Sequence, residues 1–299
     1  MKYAYISLHI DINVIMFKFW TMKKRFIVTG ASGFLGSHVS DYLTKKGFNV
    51  LLFDKKKSPY LQKKQKMIIG DITNTKHLNK AFRNIDIVFH FAGTADLEEA
   101  NKKPFTTIEN NILSVVKILK SALKNKVKKI VFASSIYARS EQGGVYSTSK
   151  LSAEMIIERI CKRFNLKYVI LRFGTVYGER ANKFNTVQKM INNAKRNSKI
   201  YRNTKGNEIR SYIHVRDVAK IVYNSTSKKF ENGHYNIFGE KKTTVKNLLN
   251  LIKSKIPKLK ILFSSVDKRK YNYKVNPFTY KLRKGKNLRL DRYISLKKG

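Results

Sequence analysis

Short apolar runs alternate with segments of helical spacing from residue 25 onward, and this rhythm constrains the fold more than any other feature of the chain. The runs are RFIVTG, NVLLFD, KMIIGD, DIVFHF, KKIVFAS and KYVILR, at residues 25–30, 49–54, 66–71, 86–91, 128–134 and 167–172. Such near-continuous apolar runs predict parallel strands that helices cover on both faces. Because crossovers of this kind are right-handed, the sequence predicts an α/β fold with a doubly wound parallel sheet.

Three glycines lie where the first predicted strand turns into a helix. Gly30, Gly33 and Gly36 fall at three-residue intervals in TGASGFLGSH. In such a turn the first glycine permits a sharp bend, the second lets the backbone approach a diphosphate, and the third lets the helix pack closely on the strand. Free N–H groups at the helix start then face the anion. The position of these glycines favours a Rossmann-type dinucleotide site over a purely structural turn.

The second predicted strand ends in Asp54, about 20 residues after the glycine turn. A carboxylate there accepts hydrogen bonds from an adenosine ribose and repels a 2′-phosphate, which favours NAD over NADP. Lys55, Lys56 and Lys57 follow directly and soften that preference.

Tyr146 and Lys150 lie four residues apart in YSTSK, so they share one face of a predicted helix. In a lysine-rich chain this pair alone is most often an ordinary exposed one. Together with the glycine turn, however, it resembles the short-chain dehydrogenase/reductase superfamily, and in particular its extended branch of nucleotide-sugar epimerases and dehydratases. Other segments of residues 24–265 are similar to the same branch, among them HFAG (90–93), GDIT (70–73), VFASS (131–135), LRFGTVYG (171–178), RSYIHVRDVA (210–219) and YNIFG (235–239).

The resemblance implies a set of cofactor-binding, catalytic and substrate-binding residues. The residues that it places against NAD are Gly30, Ser32, Gly33, Phe34, Leu35, Gly36, Asp54, Asp71, Ile72, Phe91, Ala92, Gly93, Asn111, Tyr146 and Lys150. The catalytic residues would be Ser135, Tyr146 and Lys150, and the substrate-binding residues Ser135, Thr175 and Arg210. The resemblance also implies a nucleotide-sugar substrate and a homodimer.

The chemistry that the resemblance implies begins with Tyr146, which exchanges a proton with a sugar hydroxyl. A free phenol has a pKa near 10. We expect the Lys150 ammonium to lower that pKa, because a neighbouring cation favours the phenolate. Ser135 would orient the same sugar oxygen, and a hydride removed and returned on the opposite face of the carbon would complete an epimerisation. The guanidinium of Arg210 suits a phosphate of the nucleotide.

Three departures from the family pattern bear on the reaction. Only ten residues separate Ser135 from Tyr146, so a loop near the substrate is short. The stretch SSIYAR lacks the Asp-Glu pair with which dehydratases eliminate water, and Thr175 stands where many members carry Asn. The leading hypothesis is therefore an NAD-dependent nucleotide-sugar epimerase, most like the UDP-hexose 4-epimerases. The alternative is an NAD(P)H-dependent reductase of a keto-sugar nucleotide that uses the same three residues.

The formal charge is +44, from 63 Lys and Arg against 19 Asp and Glu. Such a charge suggests a binding protein for nucleic acid or a membrane surface, built on the same scaffold. The lysines are spread along the whole chain, together with many Asn and Ile, which is typical of AT-rich coding bias. Nucleic-acid binding is therefore the less favoured hypothesis.

Cys161 is the single cysteine, so neither a disulfide framework nor a zinc site is predicted, and no metal is expected. His90 and His214 are interpreted as structural residues.

The predicted organisation has an N-terminal extension (1–21), an NAD-binding domain (22–180) and a mainly substrate-binding region with a basic tail (181–299). The extension is apolar, but His9, Asp11, Asn13 and Lys18 interrupt it, so no membrane span is expected. The extension also lacks the pattern of a signal peptide. These features and the lone cysteine predict a cytoplasmic protein.

Overall fold

The computed structural model describes residues 24–140, 142–202 and 204–264, so the predicted extension (1–21) and most of the basic tail lie outside the described residues. Its strands, in chain order, are β1 (Arg25–Thr29), β2 (Asn49–Asp54), β3 (Lys66–Ile69), β4 (Ile87–His90), β5 (Lys129–Ser135), β6 (Lys167–Phe173), β7 (Thr175–Tyr177), β8 (Lys199–Arg202), β9 (Ile209–His214), β10 (Gly233–Ile237), β11 (Lys242–Thr244) and β12 (Lys260–Phe263).

Helices connect most of these strands. They are α1 (Phe34–Lys45), α2 (Thr75–Ala81), α3 (Leu97–Lys102), α4 (Pro104–Ile108), α5 (Ser114–Lys124), α6 (Val145–Arg163), α7 (Thr186–Asn197), α8 (Val215–Asn224) and α9 (Val245–Lys255). A π-helical turn (Glu109–Leu113) joins α4 to α5, and 3₁₀ turns occupy Ile136–Arg139 and Lys228–Phe230.

Seven strands form one sheet in the order β10-β6-β5-β4-β1-β2-β3, and every pairing in it is parallel. This confirms the predicted doubly wound α/β fold, and each of the six predicted strands is present. The chain reverses direction across the sheet at β1, which pairs with β2 on one side and β4 on the other. In such sheets the ligand crevice opens at this reversal, beyond the carboxyl ends of the strands.

The two faces of the sheet bury separate apolar layers, as alternation along a strand requires. Phe26 and Val28 of β1 pack in the layer that contains Leu43 of α1. Ile27 points to the opposite layer, which contains Ile157 of α6. Because both faces are covered, β1 reads as a continuous apolar run in the sequence.

The second half of the chain is divided between the large sheet and a smaller region. Strand β10 pairs with β6 at the edge of the large sheet, and α8 packs against α1. The smaller region contains the β11-β9-β7 sheet, the β8–β12 pair and a third core that includes Met190, Ile200 and Leu249. The predicted mixed C-terminal region is thus present, whereas the domain division at residue 180 stays a prediction.

A helix that crosses a bilayer needs about 20 mostly apolar residues. The described part of the chain holds no helix that is sufficiently long and apolar.

Candidate active site

The glycine turn between β1 and α1 has the close backbone contacts that its spacing predicts. Gly30 has φ +71°, and a Cβ added there would lie 2.6 Å from the Ala92 amide nitrogen. A Cβ on Gly36 would lie 2.2 Å from the Gly30 carbonyl oxygen. Both distances are far below van der Waals contact, so neither position accepts a side chain without a backbone shift.

The same turn fits the diphosphate of a dinucleotide. Gly33 is the N-cap residue of α1, and no side chain caps the helix there. A Cβ on Gly33 would approach only the Gly30 oxygen, at 3.2 Å, and the remaining space around it is open. Uncapped N–H groups at a helix start, with open space before them, are the usual setting for a phosphate.

Asp54, at the end of β2, is held beside the turn by backbone donors. Its carboxylate accepts hydrogen bonds from the Ser32 amide (3.0 Å) and the Lys56 amide (3.3 Å). The Ser32 hydroxyl in turn donates to the Lys56 carbonyl (2.7 Å). Asp54 therefore has a fixed position at the point where an adenosine ribose is expected.

A cleft of about 690 Å³ runs along the carboxyl ends of the strands. Thirteen predicted site residues line it: Gly30, Gly33, Phe34, Leu35, Gly36, Asp54, Ile72, Phe91, Ala92, Gly93, Ser135, Tyr146 and Lys150. The structure thus brings the glycine turn, Asp54 and the three predicted catalytic residues into one cleft.

The predicted catalytic residues lie on two adjacent elements. Ser135 ends β5, and Tyr146 and Lys150 occupy the first two turns of α6. The Ser135 hydroxyl and the Tyr146 phenol are hydrogen-bonded to each other. The Lys150 ammonium donates to the Ala133 carbonyl of β5 at 3.0 Å.

Burial governs the protonation of both α6 residues. It raises the pKa of the Tyr146 phenol above its usual value; the hydrogen bond with Ser135 opposes this rise, and Asp96 adds to it. Burial also lowers the pKa of Lys150 to about 8. The pKa of Tyr146 is therefore raised in the protein alone, where we expected Lys150 to lower it, because burial of the phenol is the largest cause of the shift.

Asn101 of α3, which the sequence analysis missed, fixes the start of α6. Its Oδ1 accepts from the Val145 amide (2.8 Å), and its Nδ2 donates to the Gly143 carbonyl (3.0 Å). A Cβ on Gly144 would lie 2.1 Å from the same Oδ1, so only glycine fits beside this contact. Gly143 and Gly144 in the sequence were the signal that could have indicated a tightly held helix start.

Asn111 does not line the cleft, although we expected it to contact the cofactor. The π-helical turn buries it, and its side-chain amide binds the backbone of Thr94 (2.8 and 3.0 Å) and the Ser149 hydroxyl (3.0 Å). Asn111 thus fastens the loop after β4, which does line the cleft, to α6.

Ser32, Asp71, Thr175 and Arg210 also lie outside the lining of the cleft. Burial would raise the pKa of Asp71, but hydrogen bonds from Thr73 and Lys55 lower it overall. Arg210 lies on β9 in the smaller sheet, where its guanidinium donates to the Ile209 carbonyl (3.1 Å). The substrate-binding roles of Thr175 and Arg210 stay predictions.

The sequence analysis missed several residues that line the cleft, among them Asp96, Glu99, Asn182, Phe184 and Asn185. Asp96 caps α3 by accepting from the Glu99 amide (2.7 Å). Asn185 caps α7 and donates to the Val176 carbonyl (2.8 Å). Asp and Asn before a helical run were available as cap signals, but they do not reveal that the caps face a cleft.

His90 is a core residue, as its apolar strand predicted. It is buried beside Thr29, whose hydroxyl lies 2.8 Å from Nδ1, and burial lowers its pKa to about 3. His214 caps α8 through the Arg216 amide (3.3 Å). Within residues 24–140, 142–202 and 204–264, no group of three or more His, Cys, Asp or Glu side chains is arranged to hold a metal ion.

A family model described as "NAD dependent epimerase/dehydratase family" matches residues 26–237. The chain belongs to this family. The match spans all seven strands of the large sheet and every residue of the proposed catalytic set, so the resemblance of the motifs is confirmed. The residues around the glycine turn and Asp54 fit NAD, the cofactor of this epimerase/dehydratase family.

Relatives in the family carry out more than one reaction. The chain is 26% identical to a UDP-glucose 4-epimerase of Halalkalibacterium halodurans over 75% of this chain and 78% of the relative. It is 27% identical to a UDP-N-acetyl-alpha-D-glucosaminuronate decarboxylase of Bacillus cytotoxicus over 76% and 78%. The structure is similar to UDP-glucose 4-epimerase of Thermotoga maritima with UDP-glucose, with a TM-score of 0.76, 26% identity and coverage of 82% of this chain and 86% of that chain.

Proposed function

We propose that this family member is an NAD-dependent epimerase of a nucleotide sugar, with a UDP-hexose as the first candidate substrate. One observation carries the proposal: the hydrogen-bonded Ser135–Tyr146 pair and Lys150 line the same cleft as the glycine turn and Asp54. The cleft has the size of a pocket that encloses small molecules. The similar Thermotoga maritima structure is a complex with UDP-glucose.

The proposed roles follow from the contacts of each side chain. Ser135 holds a hydroxyl of the sugar and directs it at the Tyr146 oxygen, because its own hydroxyl already binds that phenol. Tyr146 removes the hydroxyl proton and later returns it. Lys150 donates a hydrogen bond to the Ala133 carbonyl of β5 and supplies a positive charge to the cleft. The glycine turn and Asp54 would hold NAD, which would supply a reversible hydride acceptor for the sugar carbon and a positive ring that favours the Tyr146 phenolate.

An epimerase fits the residues around Ser135 better than a dehydratase does. Elimination of water requires a further acid and base beside the sugar, and the 3₁₀ turn after Ser135 consists of Ile136, Tyr137, Ala138 and Arg139. Two carboxylates line the cleft outside that turn: Glu99 on α3 and Asp96, the residue before α3, whose carboxylate already accepts the cap hydrogen bond of that helix.

A reductase of a keto-sugar nucleotide is the alternative, since it would use the same three residues. The two functions differ in their use of the cofactor: an epimerase regenerates NAD in every turnover, whereas a reductase consumes NADH or NADPH. Incubation of the purified protein with NAD and a panel of UDP- and dTDP-sugars, followed by NMR of the products, tests the proposal. We expect one sugar to change configuration at a single carbon without net formation of NADH.

We also propose that the protein acts as a homodimer in the cytoplasm. Exposed apolar side chains lie on three helices that pack side by side: Phe105 of α4 (80% exposed), Val116 of α5 (46%) and Met155 of α6 (55%). A second copy of the same chain would cover this surface, which we name the α4–α6 face.

A further inference from the structure

A buried carboxylate lies behind the proposed catalytic residues on α6. Glu154 is 1% exposed, and it follows Lys150 by one helical turn and Tyr146 by two. Side chains four residues apart share a helix face. Glu154 therefore continues the line of Tyr146 and Lys150 away from the mouth of the cleft.

The Glu154 carboxylate binds both strands beneath α6. Its Oε1 accepts from the Ser134 hydroxyl of β5 (2.5 Å) and from Arg172 Nε of β6 (2.9 Å). Its Oε2 accepts from Arg172 Nη2 (2.6 Å). Ser134 and Arg172 are register partners on neighbouring strands. One carboxylate thus joins α6, β5 and β6 at a single level of the sheet.

Glu154 binds β5 at the same place at which β5 contacts Tyr146 and Lys150. Ser134 lies between Ala133, whose carbonyl binds the Lys150 ammonium, and Ser135, whose hydroxyl binds the Tyr146 phenol. A shift of β5 relative to α6 would change both contacts together. Binding at Ser134 prevents such a shift.

We propose that Glu154 is a positioning residue that holds β5 and α6 in the register in which Ser135, Tyr146 and Lys150 face the substrate together. The inference rests on the proposed function, because it assigns Glu154 a role in that reaction. Glu154 is outside the lining of the cleft and would not touch the substrate.

The charge of Glu154 has a second consequence for Lys150. Burial lowers the pKa of Lys150 to about 8, and the Glu154 carboxylate acts in the opposite direction. Among the groups that face this pair, Arg172 on β6 binds Glu154, His234 on β10 interacts electrostatically with Glu154, and His90 on β4 does so with Lys150. Loss of the Glu154 charge would remove the group that raises the pKa of Lys150, so Lys150 would lose its proton at lower pH.

A merely stabilising ion pair would give a different result. Loss of one partner of a buried ion pair destabilises the fold, but a Glu154 that only stabilises the fold would leave kcat unchanged when its contact to Ser134 alone is removed. The turnover of a variant that lacks only this contact therefore separates the two roles, and the pKa of Lys150 reports the electrostatic effect of Glu154.

The test compares Glu154→Gln with Glu158→Gln, a matched control one turn further along α6, where Glu158 pairs with His234 at 3.7 Å. Protonation of Lys150 is followed without substrate, by acetylating the protein with acetic anhydride across a pH range and quantifying the Lys150 peptide by mass spectrometry. We expect a midpoint near the wild-type pKa of about 8 in the control. In Glu154→Gln we expect a midpoint about one pH unit lower, the scale for loss of a neighbouring opposite charge.

Turnover of UDP-glucose with NAD is the second measurement. We expect Glu154→Gln to lower kcat about tenfold or more and to move the alkaline limb of the kcat profile to lower pH, with a smaller change in KM. Ser134→Ala removes the contact to β5 and keeps the Glu154–Arg172 ion pair, so it should lower kcat and leave the Lys150 midpoint near 8.

Three outcomes would overturn the inference. The first is a folded Glu154→Gln variant with wild-type kcat and a wild-type pH profile. The second is a Ser134→Ala variant with wild-type kcat, which would exclude positioning through β5 whether or not Glu154→Gln folds. The third is an equal effect of Glu158→Gln. Absence of turnover in the wild-type protein, with a midpoint that still falls in Glu154→Gln, would instead count against the proposed function.

Discussion

Tyr146 and Lys150 occupy one face of α6, yet burial acts on them in opposite directions. It raises the pKa of the phenol and lowers that of the ammonium to about 8. The sequence predicted the pair from its four-residue spacing, and it predicted the two residues as neighbours of Ser135 only through the family resemblance. Spacing reveals a shared helix face, but the degree of burial depends on how β5 and the loop after β4 cover that face. The direction of the Tyr146 pKa shift was therefore beyond the sequence.

Replacement of Tyr146 by Phe should leave NAD binding nearly unchanged and lower kcat by about 10²-fold or more, the scale of a lost acid–base group. Tyr168→Phe is the matched control, because Tyr168 is equally buried but lies on β6 outside the lining of the cleft. The measurements are steady-state turnover and NAD affinity by fluorescence. A Tyr146→Phe variant with near wild-type kcat would exclude Tyr146 as the proton carrier.

Replacement of Asp54 by Ala should weaken NAD more than NADP. The lost carboxylate serves the ribose hydroxyls and opposes a 2′-phosphate, while Lys55 and Lys56 remain in the lining of the cleft. The measurement is the ratio of the two dissociation constants in wild type and variant. Asp86→Ala is the control, since Asp86 pairs with Lys128 just before β4, at the amino end of the sheet. An unchanged ratio in Asp54→Ala would show that Asp54 does not select the cofactor.

At the scale of elements, the strands of the large sheet were more predictable than the connections. The apolar runs gave six strands because burial on both faces leaves an unbroken signal. Strand β10 carries a weaker one: its sequence is GHYNI, and only Ile237 is buried. The π-helical turn at Glu109–Leu113 has a residue pattern that one turn of α-helix would share, so the sequence alone does not distinguish the two. The Asn101 contact to α6 joins residues more than 40 positions apart, and no local pattern indicates it.

The glycine turn offers a paired test of packing against binding. In Gly36→Ala the new Cβ would meet the Gly30 oxygen at 2.2 Å, so β1 and α1 must separate. We expect a loss of about 1–3 kcal/mol in the free energy of unfolding, the usual cost of overpacking. In Gly33→Ala the nearest atom, the Gly30 oxygen, lies at 3.2 Å, so the loss of stability should be smaller than in Gly36→Ala while NAD affinity falls. Urea unfolding and NAD titration measure the two effects. Equal stability of Gly36→Ala and wild type would contradict the assigned packing role.

For the whole molecule, the charge of +44 indicates binding of polyanions, whereas the acidic groups of the cleft indicate a site for a small molecule. A basic surface attracts polyanions without sequence preference, through release of counterions. The lining of the cleft nevertheless balances three lysines with three carboxylates, Asp54, Asp96 and Glu99, although the chain has only 19 acidic residues. Carboxylates in the cleft fit a selective small-molecule site better than a track for nucleic acid. The polyanion-binding alternative is therefore disfavoured on the geometry of the cleft as well as on the spread of the lysines.

The α4–α6 face makes a prediction about assembly. A charged side chain on this face should prevent a second copy from covering it, because an unpaired buried charge is costly. We expect wild type to have the mass of a dimer in light scattering, and Met155→Lys to shift toward the monomer. Leu251→Lys, at an equally exposed apolar position on α9, is the control and should remain dimeric. A wild-type protein that is monomeric at all concentrations would contradict the proposed homodimer.

In the proposed reaction a hydride leaves one sugar carbon and returns to the opposite face of the same carbon. This is measured with UDP-glucose that carries deuterium on C4, incubated with the protein and NAD in ordinary water and followed by NMR. We expect UDP-galactose that still carries the deuterium on C4, with no net NADH. Movement of the deuterium to C6 with loss of water would indicate a dehydratase and contradict an epimerase, as would a C4 centre that never changes configuration.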